Sequence, residues 1–393
     1  MNLHRINKRT IIILSSVLIL LIGILIVSRL IKKEVAQSSV VSSPDMVNHP
    51  IYSNYNFIQS DSIINIGIQP MYMPTGLIME IIKRDNILNE TLAKLGKKIK
   101  YHSLLKGADV NYFIQKGELD GGVGGAMPAL SASLTSDIII PIIIQKGNIS
   151  IVAARPMLTN DLKRKRIGYA HGSISHFYIL ELLHSEGFTE EMVSLIPMET
   201  SEMADALHNN EIDLYCSWEP NVAADIKQHA ESFATFKKIT NGYLYFPADF
   251  FQHHTKIVKH LLASVLRSIT WMKSDRDNLL LACDWNLQEM EKLTGKKNIL
   301  TAEEMADLAL KDILGYMSIF ECVISEEELQ YNSSLHKEFD FMLQLRKEEG
   351  DFNWEHSLNS FNNDLIIEIL DHPKVFQLYN YNYEIGEGKK LIN

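Results

Sequence analysis

The sequence predicts an α/β protein with a mostly parallel sheet flanked by helices, preceded by one transmembrane helix. Short apolar strands alternate with amphipathic helices in two series that separate near residues 155–163, and this alternation is typical of parallel sheets. A length of 393 residues suits two moderate lobes better than one ordinary domain. An uncharged aliphatic run accounts for the predicted membrane helix.

The first series opens with a buried-type strand followed by a helix with apolar residues at helical spacing. Its predicted elements are strand Ile63–Ile68, helix Thr75–Arg84, strand Lys98–His102, helix Val110–Lys116, the glycine-rich strand Gly121–Gly125, and strands Ile138–Gln145 and Ile149–Ala154.

The second series repeats the pattern, and a long helical region follows it from His254 to Lys347. Its predicted elements are strand Ile167–Ala170, helix Ser175–Glu186, strand Val193–Pro197, helix Ser201–Asn209 and a short apolar strand within Glu211–Pro220.

The run from Thr10 to Ser28 is long enough to cross a bilayer as one helix, and basic residues flank it on both sides. We predict an uncleaved signal anchor that places a single-pass protein in the inner or plasma membrane. Because both flanks are basic, their charge hardly decides the orientation; the family resemblance given below implies that the globular part lies on the extracytoplasmic, periplasmic side. The alternative is a signal peptide cleaved near Ala36.

Composition narrows the classes of partner. The chain is 46% hydrophobic and 22% charged, as globular proteins are, and its net charge is −10. Without a basic face to neutralise phosphates, nucleic acid is not an expected partner.

The best candidate for an anion site is the corner between strand Ile167–Ala170 and the next helix. There Gly172, Ser173, Ser175 and His176 would place free N–H groups and hydroxyls at a positive helix end. The competing interpretation is an ordinary serine cap with His176 on the surface.

A second corner would face the first across a crevice at the carboxyl ends of the strands. The sequence there resembles a phosphate loop superficially, without the Lys-Ser/Thr of a P-loop, so we expect backbone contacts to a small ligand instead. The residues predicted there are Gln69, Met71, Tyr72, Gly124, Gly125, Ala126 and Met127. Tyr72 could equally be core packing.

Three more residues complete the predicted ligand site. Asn148 could donate across the cleft, and Trp218 offers an apolar wall. Glu219 could accept from a ligand or form a structural salt bridge.

The sequence predicts no enzyme, no cofactor and no metal site. It contains no nucleophile-elbow or zinc-protease motif, and the pair His253–His254 lacks further ligands at metal spacing. The cysteines Cys216, Cys283 and Cys322 are far apart, which favours buried free thiols over a disulfide.

The two corners also carry a family resemblance. The segments IGYAHGSISHFYILELL and IDLYCSWEPNVA, together with INIGIQPMYMP and GGVGGAMPALSA upstream, resemble the nitrate/sulfonate/taurine-type solute-binding proteins of ABC importers. That group includes binding proteins for thiamine-pyrimidine precursors. The resemblance spans roughly Ile63 to Leu370.

The resemblance implies a type II periplasmic-binding fold of two lobes with mixed sheets. The implied layout is a cytoplasmic tip and anchor at 1–33, a tether at 34–60, lobe 1 at 61–156 and 247–370, lobe 2 at 157–246, and a tail at 371–393. It also implies capture of a small organic or inorganic anion for an ABC permease and ATPase. The alternatives are a membrane-anchored sensor or scaffold that uses the same cleft, or a pyrimidine-synthesis enzyme.

Overall fold

The computed structural model describes residues 46, 49–310, 318–345, 353–384 and 390–392. The chain divides into one unit that ends at Tyr55 and a second that begins at Asn56. The first unit contains the 3₁₀ turn Tyr52–Asn54. The predicted membrane helix at Thr10–Ser28 lies outside the described residues, and no helix among those residues is long and apolar enough to span a membrane.

The second unit is built on a mixed sheet. Its strands are β1 Ile63–Ile68, β2 Lys98–Ser103, β3 Gly121–Gly125, β4 Ile138–Ala153, β5 Arg166–Tyr169, β6 Ser194–Pro197, β7 Leu214–Trp218 and β8 Phe233–Pro247. Their order is β2-β1-β3-β8-β4-β7-β5-β6. A separate hairpin pairs β9 Asn382–Glu384 with β10 Lys390–Ile392.

Three strands at each end of the sheet run parallel, and the central pair β8 and β4 is antiparallel. We call β2, β1 and β3 the first half of the sheet, and β7, β5 and β6 the second half. The predicted α/β class, with a mixed sheet flanked by helices, is confirmed.

The helices flank this sheet. They are α1 Thr75–Lys83, α2 Asn86–Lys94, α3 Gly107–Gln115, α4 Ala126–Thr135, α5 Ile174–Ser185, α6 Met203–His208, α7 Asn221–Gln228, α8 Ala248–His253, α9 Thr255–Ser274, α10 Arg276–Thr294, α11 Ala302–Ala309, α12 Ser334–Leu345, α13 Trp354–Leu358 and α14 Asp364–Asp371. Short 3₁₀ turns lie at Thr159–Leu162, Glu190–Met192 and Ile319–Cys322.

The long strands β4 and β8 join the two halves, and they correct one prediction. The sequence analysis divides Ile138–Ala154 into two strands, whereas β4 is continuous. Gly147 interrupts the apolar run without forming a turn. A Cβ there would lie 2.6 Å from Gln145 Nε2 and 3.2 Å from the Met73 carbonyl, so the glycine permits close backbone approach inside a strand.

The core lies between the first half of the sheet and the helices that follow β8. Helices α9 and α10 pack on α1, which is buried along almost its whole length. An ion pair is enclosed there: Arg267 Nη2 lies 2.6 Å from Asp85 Oδ2, and both side chains are at most 2% exposed. Arg267 Nη1 also donates to the Phe376 carbonyl at 2.8 Å, which ties the C-terminal tail to the core.

The three cysteines are buried and free, as predicted. Burial raises the pKa of the Cys216 thiol well above its ordinary value. Such a thiol is a packing residue rather than a nucleophile.

Candidate functional site

A cleft lies between the two halves of the sheet, at the carboxyl ends of their strands. Its walls come from both halves, and the volume open to the centre of a water molecule is about 40 Å³. A single water molecule needs roughly 10–15 Å³ of such volume, so the cleft has room for only a small ligand. The lining residues are Gln69, Tyr72, Lys106, Gly107, Ala108, Gly125, Pro128, His171, Gly172, Ser173, Ile174 and Trp218.

Two helices from the first half begin at this cleft. Lys106 precedes α3 without capping it through its side chain, and Gly125, which has no side chain, precedes α4. The two helix ends touch, because a Cβ on Gly107 would lie only 2.5 Å from the Pro128 ring. Only glycine therefore fits at the start of α3. The partial positive charges of two helix N-termini fall on the same wall of the cleft.

A third helix, α5, begins on the opposite wall. Gly172 precedes it with φ of +69°, a left-handed conformation that favours glycine. Ser173 is its N-cap: the hydroxyl accepts from Ser175 N at 3.1 Å and donates to the Ala170 carbonyl at 2.6 Å. The Ser175 hydroxyl accepts from Ala170 N at 3.0 Å and is fully buried. Both serines hold the corner, and Ser173 also faces the cleft.

Tyr72 offers a hydroxyl to the cleft. Its ring is buried, and its Oη would lie 3.4 Å from a Cβ on Gly125. Among the described residues, neither Tyr72 Oη nor the buried hydroxyl of Thr240 has a hydrogen-bond partner. Burial raises the pKa of Tyr72, with a smaller contribution from Glu338 and a small opposing effect of Thr240. The phenol therefore stays protonated and can donate.

Gln69 is held by its own half of the sheet. Its side-chain amide donates to the Val123 carbonyl on the neighbouring β3. This contact fixes the orientation of the amide at the floor of the cleft.

Trp218 and Glu219 connect the halves directly. Trp218 Nε1 donates to the Met71 carbonyl at 3.2 Å, and Met73 N donates to the Glu219 carbonyl at 3.3 Å. The Trp218 ring meets the edge of Tyr72 at a centroid distance of 6.0 Å. Glu219 Oε2 accepts from Ala223 N at 3.0 Å, in the first turn of α7. The helix dipole stabilises the negative charge of the carboxylate at this position.

An ion pair closes the cleft from another side. Lys106 Nζ contacts Glu199 Oε1, which follows β6 in the second half. Burial lowers the pKa of His171, and Lys106 lowers it further. His171 is thus neutral near pH 7, and Lys106 supplies the positive charge at this wall.

Of the predicted site residues, six line the cleft: Gln69, Tyr72, Gly125, Gly172, Ser173 and Trp218. Five more adjoin lining residues in the chain but do not line the cleft themselves: Gly124, Ala126, Met127, Ser175 and Glu219. Met71 lines a separate groove of about 310 Å³ between α7 and α10.

The predicted residues Asn148 and His176 also do not line the cleft. Asn148 is in the middle of β4, opposite Ile239 of β8. His176 packs behind the corner against Tyr169 and Phe341, at centroid distances of 4.5 and 5.7 Å. Burial lowers the pKa of His176 to about 3, which fits a neutral core histidine.

Sequence reasoning missed the start of α3. Lys106, Gly107, Ala108, Pro128, His171 and Ile174 also line the cleft. The Lys106–Gly107 step just after β2 was the available signal, because a strand end followed by a glycine-started helix repeats the pattern of the other two corners.

Comparison with known proteins agrees with the resemblance read from the sequence. Residues 148–278, a third of the chain, match the family model described as "NMT1/THI5 like". No curated protein matches the sequence.

Solved structures share the fold at low sequence identity. The periplasmic aliphatic sulphonate-binding protein from Escherichia coli is 17% identical, with a TM-score of 0.50 over 63% of this chain and 83% of that one. A periplasmic sulfonate-binding protein from Methylobacillus flagellatus is 15% identical, with a TM-score of 0.58 over 83% and 99%. The periplasmic nitrate-binding protein from Synechocystis is 12% identical, with a TM-score of 0.55 over 84% and 94%. The chain therefore has the α/β fold of periplasmic binding proteins, and these three neighbours are binding proteins rather than enzymes.

Proposed function

We propose that this protein is an extracytoplasmic solute-binding protein that captures a small organic or inorganic anion, of the sulfonate or nitrate kind, for an ABC importer. Its cleft binds and releases the anion without chemical change. The sulfonate- and nitrate-binding neighbours support this ligand class.

One observation carries the proposal: the N-termini of α3, α4 and α5 meet at a single cleft beside Lys106. Backbone N–H groups and helix dipoles at such ends favour negative charge. The charge of Lys106 and the hydroxyl of Tyr72, which has no hydrogen-bond partner within the described part of the chain, add donors. This donor set is rich in N–H and O–H groups, as a site for an anion must be.

We propose further that the fold works as two lobes, with 61–156 and 247–370 in one and 157–246 in the other. The long antiparallel pair β4 and β8 is the connection that would bend. Closure would bring the α5 corner onto the α3 and α4 corners around the ligand. The small volume of the cleft and the link from Trp218 Nε1 to the Met71 carbonyl support a nearly closed arrangement.

The remaining parts of the proposal concern location and delivery. An N-terminal helix at residues 10–28 would anchor the protein, residues 34–60 would act as a tether, and a permease with its ATPase would accept the anion. An anchored binding protein stays close to its permease, which raises its effective concentration there.

A thermal-shift screen of the purified full-length protein tests the function. The panel is nitrate, methanesulfonate, taurine, bicarbonate and a hydroxymethylpyrimidine, each over a range of concentrations. We expect at least one anion to raise the Tm progressively with concentration. At 100 times its Kd, an anion that binds only the folded protein adds about 2.7 kcal/mol to the free energy of unfolding. Stabilisation by the pyrimidine alone, or by none of the panel, would contradict the proposal.

A further inference from the structure

Three side chains of the types that ligate metals lie together on α6, on α7 and just after α7, outside the residues that line the cleft. His208 ends α6, Asp225 is within α7, and His229 follows it. Asp225 Oδ1 is 2.9 Å from His208 Nε2 and 2.8 Å from His229 Nδ1. One ligand atom from each residue lies within 4.8 Å of the others.

The carboxylate of this group is buried and fixed. The Asp225 side chain is fully buried, whereas His208 and His229 are 15% and 23% exposed. Tyr215 Oη donates to the second carboxylate oxygen, Asp225 Oδ2, at 2.6 Å. A buried charge requires compensation, and the partly exposed imidazoles give an ion access from solvent.

An outer carboxylate orients one histidine. Glu231 Oε1 lies 3.3 Å from His208 Nδ1, so that nitrogen can carry the proton and donate to Glu231. The other ring nitrogen, His208 Nε2, lies 2.9 Å from Asp225 Oδ1, so these two potential ligand atoms converge. A carboxylate that binds one ring nitrogen is a common partner of a histidine that ligates a metal through the other.

We propose that His208, Asp225 and His229 bind one divalent transition-metal ion of the zinc class. Two imidazole nitrogens and one carboxylate oxygen suit Zn²⁺, whereas Ca²⁺ and Mg²⁺ prefer all-oxygen sites. The Ser232 hydroxyl lies 3.1 Å from His208 Nε2 and 3.2 Å from Asp225 Oδ1. It or a water can occupy the fourth position.

Binding requires one local adjustment. The His208 and His229 rings are stacked, with centroids 3.4 Å apart and planes inclined by 27°. A metal lies in the plane of each imidazole ligand, so the two rings must splay apart. His229 follows the end of α7 and its side chain is 23% exposed, so its ring can turn toward solvent.

The site is independent of the proposed anion cleft. Helix α7 begins just after Trp218 and Glu219, and Asp225 lies about 6 Å further along its axis. His208, Asp225 and His229 are not among the residues that line the cleft. A protein that fails to bind anions could still bind zinc here, and the reverse also holds.

The test is calorimetric titration of the full-length, chelator-treated protein with ZnCl₂ alone. We expect one Zn²⁺ per chain. The variants His208→Gln and His229→Gln should bind at least tenfold more weakly, with circular dichroism confirming their fold. The matched control is His253→Gln, which removes an exposed histidine that contacts a carboxylate four residues away, Asp249, and should leave the affinity unchanged.

Glu231→Gln covers the case in which a histidine variant fails to fold, since the Glu231 side chain is 58% exposed. We expect it to weaken Zn²⁺ binding about tenfold. Cobalt should also give a visible d–d spectrum with the parent protein, and this spectrum should be lost in His229→Gln. The absence of stoichiometric Zn²⁺ binding by the parent, or unchanged affinity in both His229→Gln and Glu231→Gln, would overturn the proposal.

Discussion

The indole nitrogen of Trp218 donates a hydrogen bond to the carbonyl oxygen of Met71 at 3.2 Å. Trp218 ends a strand of the second half of the sheet, and Met71 follows the first strand of the first half. Trp218 lines the cleft and Met71 lines the groove between α7 and α10, so the hydrogen bond joins the walls of the two spaces.

Replacing Trp218 by Phe tests that contact. The phenyl ring retains an aromatic wall against Tyr72 but loses the N–H donor, so we expect a loss of about 1 kcal/mol beyond the effect of ring size. The control is Trp271→Phe, because Trp271 is fully buried and its Nε1 has no partner among the described residues. Urea denaturation measures both, and equal losses would contradict a stabilising role for the bond.

The ion pair between Lys106 and Glu199 predicts opposite effects on anion affinity. Lys106→Gln removes the cleft cation and should weaken binding about tenfold, equivalent to about 1.4 kcal/mol. Glu199→Gln releases Lys106 from a competing carboxylate and should strengthen binding up to about fivefold, because exposed pairs are worth up to about 1 kcal/mol. Calorimetry with the most stabilising anion measures both effects.

The control for that pair is Lys259→Gln, which breaks a 2.6 Å pair with Glu368 on α14, outside the cleft. It should leave anion affinity unchanged. Weaker binding in Glu199→Gln would mean that the carboxylate assists the ligand instead of competing with it.

We expect the buried ion pair of Asp85 and Arg267 to contribute more to the free energy of unfolding than an exposed ion pair does. Asp85→Asn leaves the Arg267 charge buried without its counter-ion and should cost about 3–5 kcal/mol of unfolding free energy. The matched control is Asp307→Asn, which breaks an exposed pair with Arg276 and should cost less than about 1 kcal/mol. Guanidinium titration compares them, and a similar small loss in both would contradict the argument from burial.

Glu338 predicts a pH dependence. Burial raises the pKa of Glu338 to about 7, Lys238 opposes the rise, and Oε2 has no hydrogen-bond partner among the described residues. The folded state therefore keeps its proton while the unfolded chain loses it above about pH 4.5. The contribution of Glu338 to stability is full below pH 4.5 and is lost as the pH rises through 7.

The variant Glu338→Gln mimics the protonated acid at every pH. We expect it to be more stable than the parent at pH 8, on the order of 1–3 kcal/mol, and to lose this advantage at pH 4. Thermal unfolding across that range measures the difference. An advantage that does not change with pH would show that ionisation of Glu338 has no part in it.

Sequence patterns predicted the parts of the fold that depend on local chemistry. The strand Ile63–Ile68 was predicted with its observed bounds because its apolar run is flanked by polar turns. The corner before α5 was predicted from Gly172 and Ser173, which have the left-handed and capping roles that their residue types favour.

Long-range pairing decided the rest. Strand β8 was not predicted, because its first part, Phe233–Ile239, is only partly buried, lacks a regular apolar alternation and takes its conformation from pairing with β4. His176 looked available for the cleft from its place in the first turn of α5, yet Tyr169 and Phe341 enclose it. Lys106 was missed because its closeness to Gly172 depends on the packing of the two halves.

The most direct test of the anion cleft is calorimetry on Ser173→Asp with the anion that most stabilises the parent. A carboxylate at the start of α5 would lie in the cleft and repel the ligand. Ser173→Asn is the matched control, since asparagine caps a helix without charge and can still donate to Ala170. We expect Ser173→Asp to lose at least tenfold in affinity while Ser173→Asn stays within a few-fold of the parent. Equal affinity in Ser173→Asp and the parent would show that this corner is only a helix cap.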